Sequence, residues 1–141
     1  MASIREQILQ AIESRLRAAS TGAAVFRSRA AALSSGELPS ITILPQDEDD
    51  TTLGQSITRH EFVVQLDVNT RGDIPDQLAD PIIVAAHEAI MRDTTLGGLC
   101  SRIEPVGTKW ALDDADNTAG TTTPAFRITY LSPWSSPARR A

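Results

Sequence analysis

The residues able to do chemistry in this chain are few, and their spacing builds no reactive group. The two histidines are His60 and His87. His87 stands beside Glu88, as in the zinc-binding H-E-x-x-H pattern, but the position four residues on is Met91. Zinc requires three or four ligands, usually with such a close pair among them, so no metal is expected. The one cysteine, Cys100, has Arg102 near it in sequence and no base. A thiol nucleophile needs a base beside it, and burial is the commoner fate of a lone cysteine. No serine sits in a G-x-S-x-G elbow, and Gly97-Gly98 lacks the lysine of a phosphate loop. Acidic residues run together at Asp47-Glu48-Asp49-Asp50 and at Asp113-Asp114-Ala115-Asp116. Neither run has the spacing of a calcium-binding EF-hand loop, and solvated loops are the simpler reading. The expectation is therefore no catalytic residue, no cofactor, no metal and no enzyme.

The elements that must position these residues are legible in the hydrophobic pattern. Residues 3–19 read as an amphipathic helix. Ser3 and Glu6 have the spacing of a capping box, and Ile4, Ile8, Ala11, Ile12 and Leu16 form one apolar stripe. Val25 and Phe26 suggest a short strand. Ser40 to Pro45 is a β-branched run with prolines at its margins, which suits a strand between turns. Residues 46–56 are expected to be a mobile acidic loop. Ile57 to Thr70 is the clearest strand, with Phe62, Val64, Leu66 and Val68 alternating with polar residues. Arg71-Gly72-Asp73 then reads as a turn. A second helix is expected from Pro81, capped by Asp80, because proline costs little at a first helical position. Its buried stripe would be Ile82, Ala85, Ala86, Ala89 and Ile90. Residues 99–112 and 124–131 complete a hairpin across a polar loop at 113–123. Residues 133–141, with Pro133, Pro137, Arg139 and Arg140, read as an extended tail. The predicted fold is α+β: a mostly antiparallel sheet of about four or five strands, two helices packed on one face, a single domain over 1–132 and a tail over 133–141.

Composition agrees and excludes several classes. The chain has 141 residues, 41% apolar and 22% charged, an ordinary globular balance. Its formal net charge of −5 disfavours a general phosphate binder. Aromatic residues, at 4%, are too few for base-stacking platforms. The longest apolar run, Ile82 to Ala86, is far short of a membrane span, and the first residues lack a signal-peptide core. A soluble protein made in the cytosol is expected.

A longer block carries a family likeness. His87 to Gly98 reads H-E-A-I-M-R-D-T-T-L-G-G, followed by Leu99, Ile103, Pro105-Val106-Gly107, Trp110, Asp113-Asp114-Ala115-Asp116 and Phe126-Arg127-Ile128-Thr129-Tyr130. With the helix beginning I-R-E-Q-I and Leu38-Pro39 leading into a strand, the chain resembles the tail-terminator, or tail-completion, proteins of long-tailed bacteriophages and prophages. The resemblance implies a non-enzymatic virion protein at the head–tail junction, assembled in the host cytoplasm. It implies a homo-hexameric ring that caps the tail tube, meets the tail tube protein and the head–tail connector or neck protein, and passes DNA through its lumen without sequence-specific binding. Another connector, neck or minor tail protein shares this size and element order. A ligand-binding or enzymatic domain built from scattered residues is a third reading. The residues expected at an interface or lumen are Asp47, Glu48, Asp49, Asp50, Asp113, Asp114, Asp116, Trp134, Arg139 and Arg140. Trp134 is expected to bury against its own domain or a neighbour.

Overall fold

The computed structural model describes residues 1–28, 38–112 and 118–141. Helix α1 spans Ile4–Ala18. Its cap is the expected one: the Glu6 amide donates to Ser3 Oγ at 3.1 Å, which satisfies a backbone donor that the first turn leaves free. Ile4, Ile8, Leu9, Ile12 and Leu16 turn inward. Strand β1 (Ala24–Arg27) follows, then β2 (Ser40–Leu53), β3 (Ile57–Arg71), helix α2 (Pro75–Met91), β4 (Arg102–Leu112) and β5 (Ala119–Pro133).

The five strands form one sheet in the order β1-β2-β3-β5-β4. Strands β1 and β2 run parallel; every other neighbouring pair is antiparallel. The fold is therefore α+β, as the pattern of elements predicts. Strands β3 and β5 are central. Phe62, Val64, Leu66 and Val68 on one, and Phe126, Ile128 and Tyr130 on the other, share a face and are buried. Both helices cover that face, their apolar stripes joining the same core. Leu66 is completely closed off, with 0% exposure.

Five features differ from expectation. Strand β2 does not stop at Pro45. A register shift between Pro45 and Glu48 absorbs the proline, and the acidic run continues as strand to Leu53. Residues 46–53, expected as a mobile loop, are thus one side of a β-hairpin. A bulge lets a residue without an amide hydrogen sit in a paired strand. Helix α2 starts at Pro75, one and a half turns before the expected Asp80 cap, and carries Pro81 inside it. Pro75 takes the first-turn position that favours proline. Pro81 lies on the exposed side, where water can reach the carbonyl its missing amide leaves unbonded. Strand β4 begins only at Arg102, because Asp93 to Ser101 form turns. Strand β5 begins at Ala119, so the threonines expected in a loop are paired: Thr121 with Asn69 and Thr122 with Val68. Finally, residues 133–141, expected to extend as a tail, do not: Pro133 ends β5, and residues 134–141 turn back on the domain. The Ile4 amide donates to the Pro137 carbonyl at 2.8 Å, and the Ala141 amide to the Leu131 carbonyl at 3.4 Å.

Proline in a helix interior costs about 3 kcal/mol relative to alanine. Pro81→Ala should therefore raise the unfolding free energy by about 1–3 kcal/mol, part of the gain being offset by a freer unfolded chain. Urea denaturation monitored by circular dichroism checks this; an unchanged or lower midpoint contradicts the helix interior assignment.

Candidate assembly surfaces

The acidic run is the first feature to take a defined place. Glu48 to Leu53 pair with Ile57 to Phe62, so the far halves of β2 and β3 form an arm whose turn is at Gly54 to Ser56. The arm is pinned at its root by a polar network. His60 is buried and stacks on Tyr130, with ring centroids 4.4 Å apart. Its Nδ1 lies 2.6 Å from Asp50 Oδ1 and its Nε2 2.7 Å from Ser132 Oγ. The Tyr130 hydroxyl donates to Glu48 Oε1 at 2.7 Å, and Arg5 of α1 donates to the other Glu48 oxygen at 2.8 Å. Burial first, and then the bond to Glu48, push the Tyr130 phenol well above its ordinary pKa. Four elements are tied at this point, and every polar group in it has a partner.

Glu48, Asp50 and His60 bring their ligand atoms within 4.8 Å of one another, a donor set that a divalent cation could use. The Arg5 guanidinium, however, sits on Glu48 Oε2 and places a positive charge where a cation would have to stand. The arrangement acts as a clasp between α1, the arm and β5.

The remaining acids of the run lie outside the clasp. Asp47 and Asp49 are exposed, as is Asp50, and Asp49 stands directly across from Glu61, a like-charge pair that costs stability in a ladder. Asp113, Asp114 and Asp116 lie outside the described residues. Trp134 is close to the arm, its amide donating to the Ser56 carbonyl at 2.9 Å, yet its side chain remains 57% exposed. The expectation that it would be buried within its own domain is not met. Arg139 donates to Ser135 Oγ and Arg140 to the Gly98 carbonyl at 3.0 Å. Of the ten expected interface residues, the structure thus gathers Glu48 and Asp50 in the clasp and leaves Asp47, Asp49 and Trp134 open near one end of the sheet.

The second surface was not anticipated. From Pro105 onward every residue of β4 is exposed. Val106, Trp110 and Leu112 are large apolar side chains within it, and Trp110 is 67% exposed. A shallow pocket between α2 and the sheet is lined by Pro75, Trp110, Leu112 and Gly120 among others. The sequence signal was present: Val106, Trp110 and Leu112 belong to a strand that also holds Lys109, the one lysine of the chain, and a charge on an apolar edge strand is a usual guard against uncontrolled pairing.

The Cys100 thiol is buried, which, with the nearby Asp93 charge, pushes its pKa up to about 11; it donates to the Thr94 carbonyl at 3.4 Å. Asp93 is a structural turn residue. Its carboxylate accepts from the Thr95 hydroxyl at 2.8 Å, the Gly97 amide at 2.9 Å and Arg15 at 3.3 Å. Among the described residues no helix is long and apolar enough to cross a membrane.

A family model of phage minor tail protein U matches residues 1–130. The chain belongs to that family. The role that follows is structural, in a phage tail, with other tail components as partners. The likeness read from residues 87–131 is correct at that level. A search among curated proteins found no match to this tail protein.

Two outcomes test this description of the tail protein. Hydrogen exchange should show the amides of Glu48–Leu53 that bond to β3 protected in the free subunit, and His60→Ala should speed their exchange while leaving Leu66 and Ile128 protected. Fast exchange of the arm in the unaltered protein would contradict the clasp. For Asp93, the bonds from Thr95 and Gly97 hold the carboxyl down to about 2, below its ordinary 3.8. A depressed carboxyl pKa adds stability that is present above the ordinary value and is lost as the pH falls through the folded one. The stability gap between the tail protein and Asp93→Asn should therefore be constant above about pH 5 and shrink between about pH 4 and pH 2. Denaturant melts across that range measure it.

Proposed function

We propose that this tail protein is a tail terminator: it forms a closed ring, six-fold by the family likeness, that caps the tail tube and presents a surface to the head–tail connector. The observation that carries the reading is that one sheet ends in two unlike edges, short β1 and long, apolar β4. Contact between two different surfaces of identical subunits produces a ring when the rotation closes. Such a ring binds a tube end multivalently, so individually weak subunit contacts combine into a firm cap. In the same reading the acids Asp47, Asp49, Asp113, Asp114 and Asp116 face the lumen or the docking surface. Negative side chains there repel the phosphates of passing DNA and keep the passage non-adhesive. Residues 1–132 act as the folded unit and 133–141 as a segment laid on its surface, with the exposed Trp134 available to a neighbour.

The experiment is a clean deletion of the gene, followed by electron microscopy of the particles. Overlong tails, or tails that fail to join heads, are the expected outcome. Tails of normal length that join heads normally would end the terminator reading and favour a connector or minor tail role. Reversing Asp113, Asp114 and Asp116 together to Lys should abolish capping or block DNA passage while the subunit's circular dichroism is unchanged.

A further inference from the structure

The sheet contains two residue rows that run unbroken from one edge to the other. Val25 pairs with Ile41, Ile41 with Val68, Val68 with Thr122, and Thr122 with Trp110. The first four are buried beneath the helices, and the last is 67% exposed. Cross-strand partners share a face, so Trp110 lies on the helix-bearing side but beyond the cover that α1 and α2 give to the rest of its row. The next row runs Ala24, Ser40, Asn69, Thr121, Ala111 on the opposite face. The two edges therefore stand at the same level of the sheet: Ala24 and Val25 on β1 are level with Ala111 and Trp110 on β4.

Strand sense matches as well. Strands β1, β2 and β5 point one way, β3 and β4 the other. A rotation about an axis along the strands preserves direction. It brings β4 of one copy beside β1 of the next in the antiparallel sense, at equal height and with the helix faces on one side. On β1, the Ala24 and Ser28 amides turn toward β2, donating to the Pro39 and Ile43 carbonyls. By alternation Val25 and Arg27 present their backbone groups outward, the Val25 carbonyl accepting from Arg17 at 3.1 Å. Few backbone bonds are thus open at this edge, and apolar packing has to supply most of the contact.

We infer that β4, through Trp110, is an edge by which one copy of the protein grips the next, and that its occupant is the β1 edge of a second copy. Trp110 then lands beside the neighbour's Val25, under the neighbour's α1, and Ala111 lands beside the neighbour's Ala24. The sheet continues across subunits, and the apolar row that β4 leaves open is closed by the next copy. The inference rests on the ring reading above and names the surface that makes the ring.

The experiment uses the full chain. In Trp134→Phe, Trp110 is the sole indole, and its accessibility to acrylamide reports on β4. Assembly, followed by analytical ultracentrifugation, should lower quenching several-fold. Trp110→Ala, exposed enough to leave the subunit folded, should raise the dissociation constant by about 30-fold or more, as loss of a central interface tryptophan does. In a Cys100→Ser background, Ala24→Cys and Ala111→Cys copies mixed together should form disulfide-linked dimers that neither gives alone. Assembly with Trp110 still fully quenched overturns the edge inference and leaves the ring reading intact. Protection of Trp110 without the mixed disulfide overturns β1 as the partner edge. Protection only on addition of tail tubes, in subunits that do not cross-link, assigns β4 to the tube protein instead. A chain that remains monomeric both alone and on tubes overturns the ring reading and the edge inference together.

Discussion

The pairing of β3 with β5 is the constraint on which everything else in this molecule depends. Each strand has fifteen residues, and their register sets Phe62 beside Ile128 and Val64 beside Phe126. Side chains alternate between faces along a strand, so slipping this pair by one residue would send the whole apolar set to the open side. With the register fixed, one face of the sheet becomes a continuous apolar floor, and α1 and α2 bury their stripes against it. Burial of this kind supplies the dominant favourable term in folding. The outer strands inherit their positions from the central pair. Strand β4 pairs along β5 alone, and its far half reaches past the cover of the helices, which leaves Trp110 and Leu112 exposed.

What could be read in advance follows the same division. The central strands and α1 were legible because their apolar positions repeat with the period of one element: two for Phe62 to Val68, three and four for Ile4 to Leu16. Where two signals compete, reading the chain alone chose wrongly. Pro75 and Pro81 both suit the start of α2, and only the packing of Ala79 into the core shows that the helix is already formed before Pro81. The acidic run looked like a solvated loop because charge hides pairing. Its partners, Arg5, His60 and Tyr130, come from three other elements and are close only after folding. Trp134 finds no cover within its own domain, its backbone being held at the arm tip while the side chain stays 57% exposed. The β4 edge is signalled only by Lys109 among its apolar residues, since a strand's side-chain pattern does not otherwise say whether a neighbour lies on both sides of it.

The clasp at the root of the arm shows how a charged segment can be built into a sheet. Two of the four consecutive acids find partners within the subunit, Glu48 in Arg5 and Tyr130 and Asp50 in His60. The other two lie outside this network, one of them facing Glu61. Buried polar groups cost stability unless each finds a partner, which is met here by crossing from β2 to α1, β3 and β5. The arm is thereby tied to the body of the subunit instead of hanging from it, and the open acids are carried on a braced strand. A protein whose work is to meet other tail components benefits from projections with a fixed direction, because ordering a loose loop on contact would cost about 1–2 kcal/mol per residue.

In the proposed role, a capping protein has to satisfy two opposed demands. It must join copies of itself side by side, and it must not offer the end of the assembly a surface on which more tube can grow. A sheet edge meets the first demand through the backbone groups it leaves unpaired, few of them on β1, and, on β4, through apolar side chains. The same property makes any edge a hazard, since it accepts further strands without limit. Pairing unlike edges around a closed rotation removes that hazard where the edges meet, because each β4 is then occupied by the β1 of the next copy. Surfaces at the two ends of the sheet are then free to differ. One carries the arm tip with Leu53 and Trp134, the other Ile74, Leu78 and Leu112 beside the start of α2. An axial difference of that kind is what a cap requires, since one end must match the tube and the other must not.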